Sequence, residues 1–287
     1  MKIGFLGERG SFAEAAAAVL FASEDIATVP LNSYREIFDA LAEGSIEHAI
    51  TRLENTYTGP NIRLLDFLRY SRAFITAETR LVEVYNLAGQ KGAKTGDIKR
   101  IFAPPVALSQ CQDYLERMHG VEMIISFDTA KAAQDLMKRR DRSEALVCSD
   151  FAAGIYGLSP LQRGIQTERE SISRFAALGP KLVVPPPEAG EAHTMLLLEL
   201  RHQAGTLLNV MTVMKSYGLN VHLMGNTTMR TNKWQYLLAL EFPGRATDEP
   251  IVKALEQIKS HAVYTKLVGS YALVDSSVKM RKTGKID

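Results

Sequence analysis

The residues best suited to chemistry lie together in the segment Glu170-Ser171-Ile172-Ser173-Arg174-Phe175. A serine hydroxyl can donate or accept a proton, and an arginine guanidinium offers paired donors to a carboxylate. The combination therefore suits work on a substrate that carries a carboxylate. The same residue types are also common in solvated turns. The segment by itself predicts a polar loop and leaves both interpretations open.

A second candidate lies at the start of the chain, where residues 2–6 predict a buried strand. Gly7 and Gly10 follow, and Ser11 with Glu14 has the S-x-x-E spacing of a helix start. A strand, a glycine turn and a helix start together favour an anion, because the first N–H groups of the helix point outwards. The glycine spacing differs from that of dinucleotide sites, and no acidic residue closes the strand predicted at 26–30, so NAD is not expected.

A third candidate is the polar turn at residues 53–60, which carries Glu54, Asn55 and Thr56 after a strand predicted at 47–51. Open α/β sheets bind ligands at the carboxyl ends of their strands. Asn and Thr also cap a following helix, and one is predicted here at 61–69. From these residues alone, substrate binding and capping both remain open.

The elements that position these candidates follow a β-α-β-α-β order over residues 2–69, and similar units recur over about 81–156. This order predicts an α/β fold of parallel-type sheets with flanking helices, in two lobes separated by a cleft. Lobe 1 is expected at about 1–78 and 157–184, and lobe 2 at about 79–156. Pro185-Pro186-Pro187 opens a stiff linker at 185–191. Beyond it, residues 192–275 read β-α-β-β-α-β, the ferredoxin-like plan, and 276–287 form a tail.

The composition excludes several classes of protein. A chain of 287 residues exceeds a typical single domain, and its net charge of +2 gives no reason to expect nucleic acid or an anionic membrane as the main partner. No signal peptide or membrane span is evident, which predicts a cytoplasmic protein. Cys111 and Cys148 belong to no paired motif, so both thiols are expected to be free.

Taken in order, the motifs resemble those of the prephenate dehydratase family with a C-terminal ACT regulatory domain, whose two-lobed catalytic part is periplasmic-binding-protein-like. The resemblance covers nearly the whole chain. It rests on the segments Gly7–Phe12, Leu53–Thr56 with Gly59, Ala107–Cys111, Asp128–Ala133, Tyr156–Leu158, Ser173–Phe175, Ala204–Leu207 and Trp234–Tyr236. Each motif is weakly specific, whereas their common order is strongly so.

The resemblance implies a lyase of phenylalanine biosynthesis that converts prephenate to phenylpyruvate, losing carbon dioxide and water, with no metal and no cofactor. It assigns catalysis to Ser173, Arg174 and Phe175, with Ser173 as the proton donor. It assigns substrate contacts to Gly10, Ser11, Glu54, Asn55, Thr56, Gln110 and Thr129. Arg174 and the N–H groups around Gly10 are expected to hold carboxylates, and Gln110 is equally open to a structural role. The ACT domain implies an amino-acid effector near Gly205, Thr206, Leu207, Asn226 and Thr227, and a homodimer or homotetramer.

The chain also departs from the family pattern. Ser173 replaces a threonine, which keeps the hydroxyl but frees its rotation, and Ser171 replaces an asparagine. Pro104 and Asn86 stand where the family has histidines. The charged effector motif reads Gly225-Asn226-Thr227-Thr228, so the response to phenylalanine is expected to be smaller than in a family member with the intact motif.

Three interpretations therefore remain. The first is a working dehydratase acting on prephenate or on the related arogenate, favoured by a hydroxyl and a guanidinium in one segment. The second keeps an anionic ring substrate but alters the chemistry, for example by decarboxylation without loss of the hydroxyl. The third is a non-catalytic amino-acid sensor, favoured by the missing histidine and the altered effector motif.

Overall fold

The computed structural model describes residues 1–126, 129–168, 170–228 and 236–274. Its strands form two mixed sheets flanked by helices, which confirms the expected α/β fold class. Three predicted features lie outside the described residues: Asp128 of one motif, the start of a strand at 234–235, and the tail at 276–287. No described helix combines the length and the hydropathy needed to cross a membrane.

The first lobe contains five early strands, three helices and one later strand. Their bounds are β1 Lys2–Leu6, α1 Phe12–Leu20, β2 Ala27–Leu31, α2 Tyr34–Glu43, β3 His48–Asn55, β4 Gly59–Pro60, α3 Ile62–Tyr70, β5 Phe74–Val82 and β11 Ile172–Gly179. β2, β1 and β3 run parallel, as predicted. β11 instead lies between β3 and β5 and runs antiparallel to both, because the chain returns from the second lobe to enter this sheet. The sheet is therefore mixed, not parallel throughout.

The prediction of a loop at residues 170–175 is wrong for most of these residues. Ile172 begins β11, an interior strand of the sheet. The four residues Phe175–Leu178 are buried, and covering them from water favours the strand over a surface loop. Ser173 and Arg174 are accommodated because their polar atoms find partners inside the fold.

The second lobe contains a five-stranded sheet. Its elements are β6 Asn86–Gly89, β7 Arg100–Ala103, α4 Pro105–Gln110, α5 Gln112–Leu115, β8 Glu122–Ile125, α6 Thr129–Arg139, β9 Glu144–Cys148, α7 Asp150–Tyr156 and β10 Ser159–Gln162, with a short 3-10 turn at Thr95–Asp97. The strands lie in the order β10-β6-β9-β7-β8. The helices α4 and α5 are short and meet at Cys111. Segments 83–85 and 163–171 connect the two sheets. The expected limits of the lobes and domains stay predictions.

The C-terminal unit follows the predicted β-α-β-β-α-β order. Its elements are β12 Ala192–Leu200, α8 Thr206–Ser216, β13 Leu223–Thr228, β14 Tyr236–Pro243, α9 Glu249–His261 and β15 Ala262–Val274. The strands lie in the order β13-β14-β12-β15, and β15 then pairs in parallel with β5. One sheet of ten strands thus runs through the first lobe and the C-terminal unit. Leu65, Met195 and Tyr271 share one buried apolar cluster across this joint, so the two parts are packed together.

The proline-rich linker is also held in place. Pro187–Ala189 forms a 3-10 turn. The Arg245 side chain donates hydrogen bonds to the carbonyl oxygens of Pro185, Pro186, Pro187 and Gly190, at 2.7–3.2 Å. The linker is therefore a fixed strap on the C-terminal unit.

Candidate active site

A cavity of about 500 Å³ lies between the two lobes, a size usual for small-molecule sites. It is lined by the β1–α1 turn, by single residues of the first lobe, and by helix starts of the second lobe. The lining residues are Leu6–Ala13, Asn32, Tyr34, Arg52, Asn61, Tyr85, Pro104, Thr129, Val147–Ser149, Ala152 and Phe175. Of the predicted site residues, Gly10, Ser11, Thr129 and Phe175 belong to this wall.

Helix starts from both lobes meet at the cavity. Ser11 caps α1 by accepting from the Glu14 N–H at 3.3 Å, and Ser149 caps α7 by accepting from the Ala152 N–H at 3.0 Å. Thr129 is the first residue of α6 and also lines the cavity. The positive ends of three helix dipoles therefore face one space, which favours a ligand with more than one negative charge.

The predicted use of the Gly10 and Ser11 N–H groups is not supported. The Gly10 N–H donates to the Glu14 carboxylate at 2.7 Å, and the Ser11 N–H donates to the Glu8 carbonyl oxygen at 3.1 Å. Both groups are satisfied inside the protein. The N–H groups of Phe12 and Ala13 have no acceptor earlier in their own helix, and these residues also line the cavity.

Gly10 matters for the contact between the lobes. Its φ of +86° favours glycine, and a Cβ there would lie 2.9 Å from the Cα of Ala152 on α7. The Tyr156 hydroxyl donates to the Arg9 carbonyl oxygen at 2.8 Å on the same side. The glycine therefore allows α7 to approach the β1–α1 turn and close one side of the cavity.

Arg174 does not line the cavity. Its guanidinium donates to Glu78 at 2.8 and 2.5 Å, to Glu54 at 2.9 Å and to Glu241 of the C-terminal unit at 2.5 Å. Burial acts to lower the pKa of Arg174, but its hydrogen bonds to Glu78 and the charge of Glu241 outweigh burial and raise the pKa, so the side chain stays charged. Its carboxylate partners belong to the protein. The structure therefore does not support the expected contact with a substrate carboxylate.

Glu78, His193 and Glu241 are the residues with the spacing of a metal site in the part of the chain that the structure describes. Their ligand atoms lie within 4.8 Å of one another, and all three are buried. Arg174 already donates to both carboxylates. Burial raises the pKa of Glu241 and lowers the pKa of His193, so both shifts favour the uncharged form. The Arg174 guanidinium therefore already supplies positive charge to this cluster, in the place where a metal ion would do so.

Ser173 is fully buried behind the cavity wall. Its hydroxyl donates to Glu83 at 2.7 Å and accepts from the Asn55 amide at 2.9 Å. The same amide donates to Ser171 at 3.1 Å. The Asn55 side-chain oxygen accepts from the N–H groups of Tyr57 and Thr58, which forms a local turn. The cap of α3 is instead Asn61, which accepts from the Leu64 N–H at 3.3 Å, so the interpretation of Asn55 as a helix cap is wrong.

The remaining predicted contacts lie outside the cavity wall. Thr56 continues the pairing with β11, because its N–H donates to the Ile172 carbonyl oxygen at 2.9 Å and its hydroxyl accepts from the Ile172 N–H at 3.0 Å. Gln110 is buried beside Ser171, and neither atom of its side-chain amide has a hydrogen-bond partner among the described residues. Glu54, described above, pairs with Arg174. Whether any of these residues acts on a substrate stays a prediction.

Sequence reasoning missed Arg52, the partly buried cation of the cavity. Its guanidinium donates to Glu83 at 2.5 Å and lies 5.8 Å from the centre of the Phe175 ring. The Tyr85 hydroxyl donates to the other oxygen of Glu83 at 3.4 Å, and Tyr85 also lines the cavity. Burial raises the pKa of Tyr85, so its hydroxyl keeps its proton. The available signal was Arg52 itself, a charged residue directly after the buried run Ala49–Thr51 of β3.

The expected effector residues lie on two elements of the C-terminal unit. Gly205, with a φ of +84°, precedes α8, which Thr206 and Leu207 begin. Asn226 and Thr227 lie on β13. Beside them, a Cβ at Gly225 would lie 3.1 Å from Leu65, so β13 packs closely on α3 of the first lobe.

Comparison with known proteins gives one family match. The family model described as prephenate dehydratase matches residues 3–182. The chain is 28% identical over 272 residues to a bifunctional chorismate mutase/prephenate dehydratase of Pseudomonas aeruginosa, covering 94% of this chain and 73% of that protein. It is 25% identical over 285 residues to arogenate dehydratase 2 of Petunia hybrida, covering 94% and 71%.

Solved structures show the same fold. A prephenate dehydratase from Arthrobacter aurescens in complex with L-Phe aligns with a TM-score of 0.85 and 23% identity, covering 95% of this chain and 90% of that chain. A protein described as a novel type of quorum-quenching acylase aligns with a TM-score of 0.83 and 24% identity, covering 95% and 98%. A shared fold does not assign chemistry, which depends on the residues of the site.

Proposed function

The chain belongs to the prephenate dehydratase family, and on that premise we propose that it converts prephenate to phenylpyruvate in L-phenylalanine biosynthesis. The observation that carries the proposal is the cavity between the lobes, where three helix starts and Arg52 offer positive charge to one small space. Prephenate carries one carboxylate on its ring and a second on its side chain, so it needs such a site.

The reaction requires the protein to bind the substrate and to supply one proton. The bond between the ring and its carboxylate breaks, carbon dioxide leaves, and the electron pair of that bond enters the ring. The carbon–oxygen bond at the opposite ring carbon breaks, and the oxygen leaves with its electron pair and takes a proton to form water. Because the ring becomes aromatic, the site must chiefly hold both anions and supply that proton.

The residues that bind are those of the cavity wall. The side-chain carboxylate of prephenate is assigned to Arg52, whose guanidinium is held against Phe175. The ring carboxylate is assigned to the helix starts at Ser11, Thr129 and Ser149, where donors are neutral and the departing carbon dioxide is not retained by a full charge. Ser173 remains the proposed source of the proton; its hydroxyl donates to Glu83 in this structure and must turn toward the leaving oxygen to deliver that proton.

Arogenate is the second candidate substrate, since relatives include arogenate dehydratases. It differs from prephenate by an amino group in place of a keto group. The C-terminal unit is proposed to be an ACT regulatory domain, supported by its β-α-β-β-α-β order and by a solved prephenate dehydratase of the same fold that binds L-Phe. A cytoplasmic homodimer or homotetramer is proposed with it, as is usual for domains with open sheet edges.

The test is to mix purified protein with prephenate and, separately, with arogenate. Phenylpyruvate from prephenate, or phenylalanine from arogenate, supports the proposal and identifies the substrate. Carbon dioxide without an aromatic product would point to altered chemistry. Binding of an amino acid with neither product would favour a sensor and remove the enzymatic proposal.

A further inference from the structure

The buried carboxylate of Glu83 connects Ser173 to the cavity. Glu83 is fully buried in the segment that crosses from the first lobe to the second. Ser173 on β11 and Arg52 on β3 share its first oxygen, at 2.7 and 2.5 Å, and Tyr85 donates to its second oxygen at 3.4 Å. Two of these three partners line the cavity, and the third is the proposed proton source.

A buried carboxylate in this position is costly unless its partners are strong. Removing a carboxylate from water is unfavourable, and Arg52 compensates for it from one side only. The hydroxyls of Ser173 and Tyr85 complete the set of donors. Because the Glu83 N–H also donates to the Ser171 carbonyl oxygen at 2.8 Å, the backbone at the crossing segment is fixed to the strand that carries Ser173.

Glu83 also limits the charge of the cavity. Its carboxylate lies against the more buried of the two arginines that line the cavity, so it offsets part of the positive charge that Arg52 offers there. A free Arg52 would bind a dianionic substrate more tightly before the reaction. Tight binding of the ground state does not speed the chemical step, whereas a guanidinium held in one place does.

We propose that Glu83 is a positioning residue: it orients the Ser173 hydroxyl and the Arg52 guanidinium as one unit for the reaction in the cavity. The inference rests on the proposed function and deepens it. It assigns a role to a residue that no motif indicates. It also explains how a serine that does not line the cavity can influence chemistry there.

The test compares Glu83→Gln with wild type, using Glu144→Gln as the matched control. Glu144 is equally buried and paired with Arg100 and Arg139, but it lies at the opposite end of β9 from the cavity. For Glu83→Gln, kcat is expected to fall by about tenfold or more, while KM falls because Arg52 loses its neutralising partner. Glu144→Gln should leave both constants unchanged. A Glu83→Gln protein with wild-type constants overturns the proposal, and so does a rise in KM alone.

A double variant separates positioning from a general loss of structure. If Glu83 acts through Ser173, Glu83→Gln adds less than about twofold to the loss in kcat already caused by Ser173→Ala. If the losses in kcat from the two single substitutions multiply in the double variant, the proposal is overturned. Should Glu83→Gln not fold, Glu83→Asp keeps the charge but shortens the reach, and it is expected to lower kcat without raising KM.

Titration calorimetry measures the affinity for prephenate and provides a test that does not depend on catalytic turnover. Failure of the wild type to form product from prephenate or arogenate removes the proposed function. Tighter binding of prephenate by Glu83→Gln than by wild type would still support the pairing of Glu83 with Arg52. Equal or weaker binding would overturn it.

Discussion

Arg174 and Glu241 form a 2.5 Å ion pair that joins the strand carrying Ser173 to the C-terminal unit. Successive residues of a strand point to opposite faces, so Ser173 meets Glu83 behind the cavity while Arg174 meets the C-terminal unit. Two adjacent residues of β11 therefore link the proposed site to the proposed regulatory domain.

The Arg174 cluster predicts a large effect on stability. Arg174→Met leaves the carboxylates of Glu54, Glu78 and Glu241 without their common partner. Removing one partner from a buried ion pair costs about 3–5 kcal/mol of unfolding free energy, and a loss at the upper end is expected here. Urea unfolding measures it. Lys253→Met, which breaks an exposed pair with Glu249, should cost below about 0.5 kcal/mol. Similar losses for both variants would contradict the role of the cluster.

His193 predicts a pH dependence of stability. Burial lowers its pKa from the ordinary value of 6.5, and Glu78, Arg174, Glu191, Glu241 and His222 are its charged or titratable neighbours. The unfolded chain takes up a proton that the folded state resists. The stabilisation is therefore complete above pH 6.5 and is lost as the pH falls through the folded pKa.

The measurement is the change in Tm between about pH 7.5 and 5.5, which should be larger for wild type than for His193→Asn. Glu241 opposes this trend in both proteins, since burial raises its pKa and the folded state gains stability as that group is protonated. An equal change in Tm in the two proteins would show that His193 does not cause the pH dependence.

Arg52 predicts a loss of activity on substitution. Arg52→Met removes the guanidinium assigned to a substrate carboxylate, and a charged hydrogen bond of about 1.5–3 kcal/mol corresponds to a fall in kcat/KM of roughly 10–150-fold. Steady-state kinetics with prephenate measure it. Arg72→Met, at an exposed position outside the cavity wall, is the control and should change kcat/KM by less than about twofold. Equal kinetics for both variants would show that the substrate carboxylate does not bind at Arg52.

The two thiols are expected to be unreactive in the folded protein. Cys111 and Cys148 are both free and buried, and burial raises the pKa of each to about 12. The nucleophilic thiolate is therefore scarce at neutral pH. Titration with a disulfide reagent at pH 8 should label neither thiol before unfolding and both after it. Rapid labelling of the native protein would show that a thiol is accessible.

Phenylalanine is expected to act weakly on this protein. The strand at Gly225–Thr228 lacks the charged residue and the proline that the family resemblance leads one to expect. A ligand that binds only the folded state raises Tm with its concentration. Thermal unfolding with added L-phenylalanine should therefore show little change. A rise of several degrees would show that other residues of the C-terminal unit hold the effector.

Local patterns predicted most of the elements. The helix starting after Ser11 follows from its capping residues and its alanine-rich apolar face, and the order of the C-terminal unit follows from alternating apolar runs. Antiparallel β11 was missed because Glu170–Phe175 has the composition of a turn. Its pairing with β3 and β5 depends on residues ninety or more positions away, which no local pattern reports.

The sequence by itself determined the two-lobed α/β class, the family and the capped helix start at the cavity, since these depend on spacing within short segments. The tertiary structure decided what each polar side chain faces. Ser173 and Arg174 are neighbours in sequence, yet the pleat of β11 and its central place in the sheet direct one to Glu83 and the other to Glu241. A buried charge is held by whatever partner the packed fold brings to it, and those partners come from distant parts of the chain.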